Sequence, residues 1–348
     1  MRVSHCVIFG AGASYGYDES LPKDRWPPLT NRLMDSESAR DLLAQSRYGR
    51  LKKGWEEYVD RSRGQKLEPD PEVFGGLLAS EALDGSRGML LAPGTSADRF
   101  HTVSALSYFL YELFQPYIRE YRYAEDNYRL VAKHFLKDQF VVISLNYDPL
   151  FELATLTEGV GYCYVGIEKP APGIRVFKPH GSANWLFPMG RIIAFSDLQG
   201  DELFEAACSA NYSLGFSGFP INAIHPGQYG FSSLEWVLNR GDGHSIPALL
   251  PPLGSAKEYD KFGQFTRIWA LLTEFLRGID RVTLVGTSLR GQDVRFCDAL
   301  KSSLPPSAKY TLVGGVERLR LRMLELGLLG PTSPVTTYET FATWAKTL

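Results

Sequence analysis

The chain has 348 residues, of which 44% are apolar and 22% are charged. This size and composition are ordinary for a globular enzyme with one large core or about two domains. The formal net charge is −2 and the sequence shows no convincing basic patch, so direct nucleic-acid binding is not expected.

Cysteine usage and hydropathy exclude two further classes of protein. The four cysteines are widely scattered and form no Cys-x-x-Cys pair, which indicates neither a zinc site nor a disulfide framework. No apolar run approaches the roughly twenty residues that a membrane-spanning helix needs. The N-terminus enters a predicted strand without a signal-peptide pattern. We therefore expect a cytoplasmic protein that does not bind a membrane.

The first third of the chain predicts one strand followed by a long helical region. Residues 3–9 form a β-rich apolar run that ends at a glycine loop. Residues 17–138 are rich in Arg, Leu, Ala, Tyr and Glu, so we predict an inserted helical subdomain there. Within it, apolar residues at helical spacing predict a helix over 103–117, which Pro116 kinks or ends. Clusters of Gly, Pro, Ser and Asp in residues 60–100 favour loops over long regular elements.

Strands and helices alternate in the remaining chain. The predicted strands cover residues 140–145, 175–178, 281–285 and 309–313. The predicted helices cover residues 149–156, 262–277, 293–303 and 317–326. Such alternation is typical of an α/β protein with a Rossmann-like, doubly wound parallel sheet. We predict this domain from residues 1–16 and 139–348, whereas the order of residues 186–250 is not predictable from the sequence.

A glycine-rich loop, Gly10-Ala11-Gly12-Ala13-Ser14, follows the first predicted strand. In a strand–glycine–helix unit, small residues let the backbone approach a phosphate, and amides at the helix N-terminus supply hydrogen-bond donors. The match to Gly-x-Gly-x-x-Gly is incomplete, because Tyr15 stands at the third glycine position and Gly16 comes one residue late. A tight strand-to-helix turn without a ligand is an equal alternative for this loop alone. No acidic residue ends a second strand at the usual distance, which disfavours a standard dehydrogenase.

Two polar side chains follow later strands of the predicted sheet. Asn146 comes after the strand at 140–145, and His180 comes after the strand at 175–178. Because the carboxyl ends of parallel strands meet at one edge of a sheet, we expect both side chains at the edge that carries the glycine loop. An amide can hold hydroxyl groups or a water without ionising, and imidazole titrates near neutral pH. The structural alternatives are a helix N-cap for Asn146 or Asp148 and a histidine satisfied within a Pro-His-Gly turn.

Four motifs, taken in order, resemble the nucleotide site of sirtuin-like proteins. They are Gly10-Ala11-Gly12-Ala13-Ser14, Asn146-Tyr147-Asp148, His180-Gly181-Ser182 and Gly286-Thr287-Ser288-Leu289. Their neighbouring residues are similar to those of the bacterial sirtuin-like NAD hydrolases of antiphage defence. These neighbours are Pro149-Leu150, Lys178-Pro179, Trp185 and Pro251-Pro252. The resemblance covers residues 1–16 and about 140–315, and it leaves the helical region unmatched.

The resemblance implies a role for each motif. Asn146 and His180 would be the catalytic pair of an NAD+ glycohydrolase, and Asp148 would support the site. The glycine loop and the Gly-Thr-Ser turn would bind NAD, through Gly10, Ala11, Gly12, Ala13, Ser14, Gly286, Thr287 and Ser288. With water as the acceptor, cleavage of the nicotinamide–ribose bond would give nicotinamide and ADP-ribose.

Two departures from the sirtuin pattern affect this interpretation. Deacylating sirtuins carry paired Cys-x-x-Cys motifs between the catalytic histidine and the Gly-Thr-Ser turn, whereas this chain has only Cys208 there. We therefore expect no zinc, and protein deacylation is the least favoured activity. Sirtuins also tend to place an Asn that contacts the adenosine ribose after the next strand, where this chain has Gly314-Gly315.

The resemblance also implies how such an activity would be used. An NAD hydrolase of antiphage defence would act by NAD depletion, and control by a partner or by assembly would protect a shared cofactor. We therefore expect a homo-oligomer, with residues 17–138 as a lid or an oligomer contact. The alternative is a catalytically silent subunit that binds NAD or ADP-ribose in a defence complex, with an ATPase or nuclease partner providing the output.

Overall fold

The computed structural model describes residues 3–84, 96–121, 126–190, 198–213, 221–223, 234–238, 244–249, 263–290, 293–330 and 332–348. The strands are β1 (His5–Phe9), β2 (Phe140–Ser144), β3 (Tyr162–Tyr164), β4 (Ile174–Phe177), β5 (Gly181–Gly190), β6 (Asn222–Ala223), β7 (His244–Leu249), β8 (Arg281–Val285), β9 (Lys309–Val313) and β10 (Val335–Tyr338). The α-helices are α1 (Ala11–Ser14), α2 (Glu37–Leu43), α3 (Gly49–Gly64), α4 (Pro71–Asp84), α5 (Ser96–Arg119), α6 (Asn127–His134), α7 (Leu150–Thr157), α8 (Gly200–Ser213), α9 (Leu234–Leu238), α10 (Gly263–Leu276), α11 (Val294–Ser303), α12 (Val316–Glu325) and α13 (Phe341–Ala345). Short 3₁₀-helices cover Lys23–Arg25, Thr30–Arg32 and Ser46–Tyr48.

The chain divides into two compact units. Unit 1 comprises Met1–Pro27, Glu120–His180 and Gln264–Leu348, and unit 2 comprises Pro28–Arg119 and Gly181–Gly263. Each unit is therefore built from segments that are distant in the sequence. The expected helical insertion, residues 17–138, overlaps unit 2 without coinciding with it, and the expected domain boundaries stay a prediction.

Unit 1 contains a seven-stranded sheet in the order β10-β9-β8-β1-β2-β4-β3. Its strand pairs are parallel throughout. At the centre, β1 is in register with β2 on one side and with β8 on the other, so that Val7 pairs with both Val142 and Thr283. Helices flank the sheet. This is the Rossmann-like α/β fold that the alternation of strands and helices predicted.

The central strands of unit 1 are covered by other residues on both faces. Every residue of β1 and of β2 is buried. Both strands are therefore nearly continuous apolar runs, as parallel strands covered by helices usually are. β-branched residues such as Val141, Val142 and Ile143 also suit the pleated backbone of a strand. The edge strand β10 has no buried residue, so the core of unit 1 lies on the central strands.

The strand order places a topological switch at β1. The chain leaves β1 and returns as β2 on one side, and β8 lies on the other side. In open parallel sheets, the ligand crevice lies outside the carboxyl ends of the strands at such a switch. The loop that follows β1 and the turn that follows β8 therefore meet at this edge. Asn146 and His180, which follow β2 and β4, belong to the same edge.

The predicted elements of unit 1 are largely confirmed. The strands predicted over 140–145 and 281–285 are β2 and β8, and the helices predicted over 262–277 and 293–303 are α10 and α11. The sequence did not predict β3, β10 or α13. Three residues in β3 and four in β10 are too few for a clear alternating pattern.

Unit 2 combines helices with an antiparallel sheet of three strands in the order β6-β5-β7. β6, β7 and the second half of β5 fall within residues 186–250, whose order was not predictable from the sequence. The 24-residue helix α5 contains Pro116 and ends at Arg119, so the proline does not end it. Phe204 of α8 packs against Tyr48 and Tyr108, which gives unit 2 an aromatic core. Among the residues that the structure describes, no helix is long and apolar enough to cross a membrane.

The prediction of loops within residues 60–100 is wrong for the first part of that range. Helix α4 runs through Gly75-Gly76 without interruption. Its neighbouring residues Phe74 and Leu78 are buried. Burial of these side chains outweighs the low helix propensity of two glycines, since tertiary packing supplies most of a helix's stability. The later glycine and proline clusters, at 85–95, lie outside the described residues.

Candidate functional site

Ser14 connects three polar side chains from different parts of unit 1. Its Oγ lies 2.9 Å from the hydroxyl of Tyr128, accepts a hydrogen bond from Asn146 Nδ2 at 2.8 Å and donates one to Asp148 Oδ1 at 3.0 Å. All four residues are buried, with at most 6% of their surface exposed. The end of α1, the first turn of α6 and the loop after β2 are thus tied together at the carboxyl edge of the sheet. We call these four residues the polar cluster.

The amide of Asn146 has a definite orientation in the polar cluster. Its Nδ2 donates to Ser14 Oγ and, at 3.4 Å, to the hydroxyl of Tyr128. Its Oδ1 is buried, and within the described parts of the chain no group forms a hydrogen bond with it. A buried carbonyl oxygen without a partner is costly, and in native proteins it often marks the place of a ligand or a water. Asn146 therefore presents a hydrogen-bond acceptor at this edge.

Asp148 is a buried carboxyl group with donors on one of its oxygens. The hydroxyl of Ser14 and the backbone N–H of Leu150 both donate to Oδ1, at 3.0 and 3.2 Å. The second bond goes to the first residue of α7, so Asp148 has a structural bond to an amide of the following helix, although the N-cap residue itself is Pro149. Burial raises the pKa of Asp148, and the nearby positive charge of Lys178 only partly opposes this shift.

Lys178 and Glu152 form an ion pair that is wholly inside unit 1. Lys178 Nζ lies 3.2 Å from Glu152 Oε1, and both side chains are 0% exposed. The same ammonium group donates a hydrogen bond to the backbone carbonyl of Asp148 at 2.7 Å. A buried charge is tolerated only with partners of this kind. Lys178 thus connects the end of β4, helix α7 and the loop that carries Asn146.

His180 is held next to Asn146 by the backbone. Its Nδ1 lies 3.3 Å from the carbonyl oxygen of Leu145, the residue before Asn146. Because a carbonyl oxygen can only accept, Nδ1 carries the proton of the neutral ring and Nε2 is the basic nitrogen. Nε2 lies 3.5 Å from Asp293 Oδ1. A carboxylate at this distance would stabilise the protonated, imidazolium form of the ring.

The glycine loop and the turn after β8 are in backbone contact. A Cβ atom on Gly10 would lie 2.6 Å from Thr287 Cα, and one on Gly12 would lie 2.8 Å from the carbonyl oxygen of Gly286. The backbone N–H of Gly12 donates a hydrogen bond to the carbonyl oxygen of Gly286 at 2.9 Å. The N–H of Gly10 donates one to the carbonyl oxygen of Val285 at 3.0 Å. These two amides are used within the protein. The glycines therefore have a structural reason of their own, which supports the tight-turn alternative for this loop.

The turn after β8 has an unusual backbone. Gly286 has a φ of 59°, and Leu289 has a φ of 46°, which costs energy for a residue with a side chain. Two hydrogen bonds hold Leu289 in this conformation. Its N–H donates to Thr287 Oγ1 at 3.4 Å, and its carbonyl accepts from Arg322 Nε at 3.0 Å. Strained residues that are fixed in this way are concentrated at binding sites.

The structure thus gathers most of the predicted residues at one edge of unit 1. Ser14, Asn146 and Asp148 belong to the polar cluster. His180 hydrogen-bonds to the backbone carbonyl of Leu145, the residue before Asn146. The hydroxyl of Ser14 makes contacts with three protein groups, and through one of them it orients the amide of Asn146. The other expected NAD contacts lie on the two facing loops and stay predictions. They are Gly10, Ala11, Gly12, Ala13, Gly286, Thr287 and Ser288.

Three residues that lie at this site were not among the expected site residues. Tyr128 lies in the helical region, where a single tyrosine gives no signal beyond that of a core residue. Lys178 offered a signal, namely a lysine at the end of a predicted buried strand. Asp293 precedes α11 and has the position of a helix cap, but its side chain makes no cap hydrogen bond.

The sequence also predicted that the chain binds no zinc. In the ranges that the structure describes, no group of three or more His, Cys, Asp or Glu side chains is close enough to hold a metal ion. Cys208 is fully buried in α8. The expected lack of zinc stays a prediction.

The comparisons with known proteins give a similarity in structure but none in sequence. The sequence matches no protein-family model and no curated protein at a significant level. A solved structure described as "Structural Basis for the Mechanism and Regulation of Sir2 Enzymes" is similar over 99% of this chain and 90% of its own. The identity is 13% and the TM-score is 0.36. A similarity at this level says nothing about ligand or activity.

Proposed function

We propose that the chain is an NAD+ glycohydrolase that cleaves the nicotinamide–ribose bond and releases nicotinamide and ADP-ribose. The observation that carries the proposal is an amide oxygen on Asn146, unpartnered within the part of the chain that the structure describes, together with a histidine that hydrogen-bonds to the residue before Asn146. Asn146 Oδ1 is a buried acceptor with no hydrogen-bond partner among the described groups. His180 is fixed on the carbonyl of Leu145, directly before Asn146. The resemblance of four ordered motifs to sirtuin-like NAD hydrolases supports NAD as the substrate.

The proposed reaction uses each of these groups once. Asn146 Oδ1 accepts a hydrogen bond from a ribose hydroxyl or from the attacking water and fixes its position. The bond between ribose C1′ and the nicotinamide nitrogen breaks, and its electron pair leaves with nicotinamide. His180 Nε2 takes a proton from the water as the oxygen attacks C1′, and Asp293 stabilises the imidazolium. When His180 returns this proton to solvent, NAD+ and water have become nicotinamide, ADP-ribose and a proton.

Release of nicotinamide from NAD+ by the purified full chain tests the proposal. Asn146→Ala and His180→Ala should each lower the rate by about 100-fold or more, as is typical when a general base or a key polar contact is removed. His134→Ala is a matched control, because His134 Nδ1 also hydrogen-bonds to a backbone oxygen, that of Leu348 at 3.2 Å. Its rate should stay within about twofold of wild type, since it lies outside the site. Unchanged rates in both site variants would overturn the assignment.

The other outcomes separate the alternatives. Tight binding of NAD or ADP-ribose without turnover would favour the catalytically silent subunit of a defence complex. Turnover of an acyl-lysine peptide that depends on NAD would favour deacylation instead.

We propose further that the activity serves antiphage defence by depleting NAD, in a homo-oligomer that a partner or assembly regulates. The support for this role is the motif resemblance alone. It is tested by measuring NAD in phage-infected cells that carry the wild type or the Asn146→Ala variant. NAD should fall only with the wild type, and an equal fall with both would contradict the role.

A further inference from the structure

We infer that Tyr128 is a positioning residue of the proposed site, which together with Ser14 orients the amide of Asn146 so that Oδ1 and not Nδ2 faces the ligand. The inference goes beyond the motifs, because Tyr128 lies on α6, in the region that the resemblance does not cover. It rests on the proposed function for its activity measurement. Its structural part rests on hydrogen bonds alone.

The proton of the Ser14 hydroxyl is directed to Asp148. Asp148 Oδ1 is an acceptor, because the N–H of Leu150 also donates to it. Ser14 has one hydroxyl proton, and it is directed to this oxygen at 3.0 Å. Ser14 Oγ is therefore left with lone pairs for its other two neighbours, Asn146 and Tyr128.

The direction of the Tyr128 hydroxyl follows from that of the Ser14 hydroxyl. Its oxygen lies 2.9 Å from Ser14 Oγ, and Ser14 has no proton to offer in that direction. Tyr128 must therefore donate its own proton to Ser14. The lone pairs of the phenolic oxygen are then available to Asn146.

The side of the Asn146 amide that faces Ser14 and Tyr128 meets two oxygen atoms. Both oxygens on that side, Ser14 Oγ at 2.8 Å and Tyr128 OH at 3.4 Å, act as acceptors. Only Nδ2, with its two protons, can satisfy both of them. The opposite amide orientation would place Oδ1 against lone pairs, which is costly in a buried site. Oδ1 therefore points away from Ser14 and Tyr128.

The ring of Tyr128 is held by packing that does not need the hydroxyl. Phe9, Phe341 and Phe151 pack edge to face against it, with ring centroids 5.0, 5.2 and 5.8 Å away. Asp126 accepts a hydrogen bond from the N–H of Arg129 at 2.9 Å and caps α6, which carries Tyr128. Removal of the hydroxyl thus removes hydrogen bonds and leaves the aromatic packing in place.

Tyr128→Phe is the direct test, with kcat and KM for nicotinamide release as the measurement. We expect kcat to fall about tenfold, and KM to stay within about twofold, because the variant loses orientation of a reacting group and no ligand contact. The control is Tyr108→Phe in unit 2, a fully buried tyrosine that also donates one hydrogen bond, to the carbonyl of Ser245 at 3.4 Å. This control should keep the wild-type kcat.

The Asn146→Ala background distinguishes positioning from a general structural role. Without an amide to orient, Tyr128→Phe should change the residual rate by less than about twofold. An equal loss of kcat in both backgrounds would overturn the inference.

A double-mutant cycle in the unfolding equilibrium tests the hydrogen bonds without any activity. It compares wild type, Tyr128→Phe, Asn146→Ala and the double variant in urea. We expect the unfolding constant of the double variant to differ from the product of the single effects by a factor of about five. If the wild type releases no nicotinamide but this coupling is present, the proposed function fails and the inference stands. Additive effects in the cycle would overturn the inference.

Discussion

Lys178 donates a hydrogen bond to the backbone carbonyl of Asp148 at 2.7 Å from a position with no solvent exposure. The same ammonium group lies 3.2 Å from Glu152 Oε1, so one positive charge serves a buried carboxylate and a buried backbone carbonyl. The loop that carries Asn146 is thereby fixed by the only kind of interaction that makes a buried lysine tolerable. The site and the stability of unit 1 depend on the same contact.

Lys178→Met should destabilise the protein by about 3 to 5 kcal/mol, because it leaves Glu152 buried without its partner. The double variant Lys178→Met with Glu152→Gln should recover part of this loss, since no uncompensated charge is left. The free energy of unfolding in urea measures both effects. Lys301→Met, an exposed lysine of α11, should stay within about 0.5 kcal/mol of wild type. Equal destabilisation of the single and double variants would show that charge is not the reason.

Asp148→Asn should retain more activity than Asp148→Ala. Ser14 and Leu150 both donate to Oδ1, and an amide oxygen can accept both bonds, so the orientation of Asn146 is preserved. We expect kcat for nicotinamide release to fall about tenfold or less in the Asn variant and about 100-fold in the Ala variant. Equal losses in both variants would instead assign the negative charge of Asp148 a direct part in the reaction.

Asp293→Asn should weaken the proposed general base. Its carboxylate is 3.5 Å from His180 Nε2, and an amide stabilises an imidazolium less well. We expect kcat to fall about tenfold while KM changes little. Asp298→Asn is the matched control, because Asp298 is an exposed residue of α11, the helix that Asp293 precedes. If both variants behave alike, Asp293 has no special relation to His180.

Gly12→Ala should separate the two loops at the carboxyl edge. The new Cβ atom would lie 2.8 Å from the carbonyl oxygen of Gly286, whereas a Cβ atom on Gly16 would meet nothing closer than 3.8 Å. We expect Gly12→Ala to lose about 1 to 3 kcal/mol of unfolding free energy. Its affinity for NAD, measured by calorimetry, should fall as well. Gly16→Ala should retain both properties, and similar losses in the two variants would contradict the steric argument.

The raised pKa of Asp126 leads us to expect that the stability of the protein depends on pH. Burial raises the pKa of Asp126 to about 6, from 3.8. The folded protein therefore binds an extra proton between these values, and this group contributes stability at low pH that is lost as the pH rises through about 6. Asp126→Asn keeps a capping oxygen and has no charge. The unfolding free energy of the variant relative to wild type should therefore rise by up to about 3 kcal/mol from pH 4 to pH 8.

The same comparison with Asp24→Asn provides the control for Asp126. Asp24 is exposed, so its variant should show no such rise. A difference between Asp126→Asn and wild type that is constant over this pH range would contradict the shifted pKa.

The sequence by itself determined the central strands of the sheet and the edge on which polar residues gather. β1, β2 and β8 are short apolar runs whose hydrophobic pattern is local, so each could be read before the structure. The motifs that follow them are local as well. Parallel strands bring their carboxyl ends together, and this rule sufficed to predict that Asn146 and His180 belong with the glycine loop.

Only the tertiary structure decided how the polar side chains are held. Ser14 and Asn146 are 132 residues apart in the chain, and Tyr128 reaches them from a helix without a motif. Hydrogen bonds between such distant residues leave no periodicity in the sequence. The helix through Gly75-Gly76 has the same cause, because burial of Phe74 and Leu78 outweighed local propensity. Local patterns determined the elements, and packing between distant segments determined which atom of the Asn146 amide has no hydrogen-bond partner among the described residues.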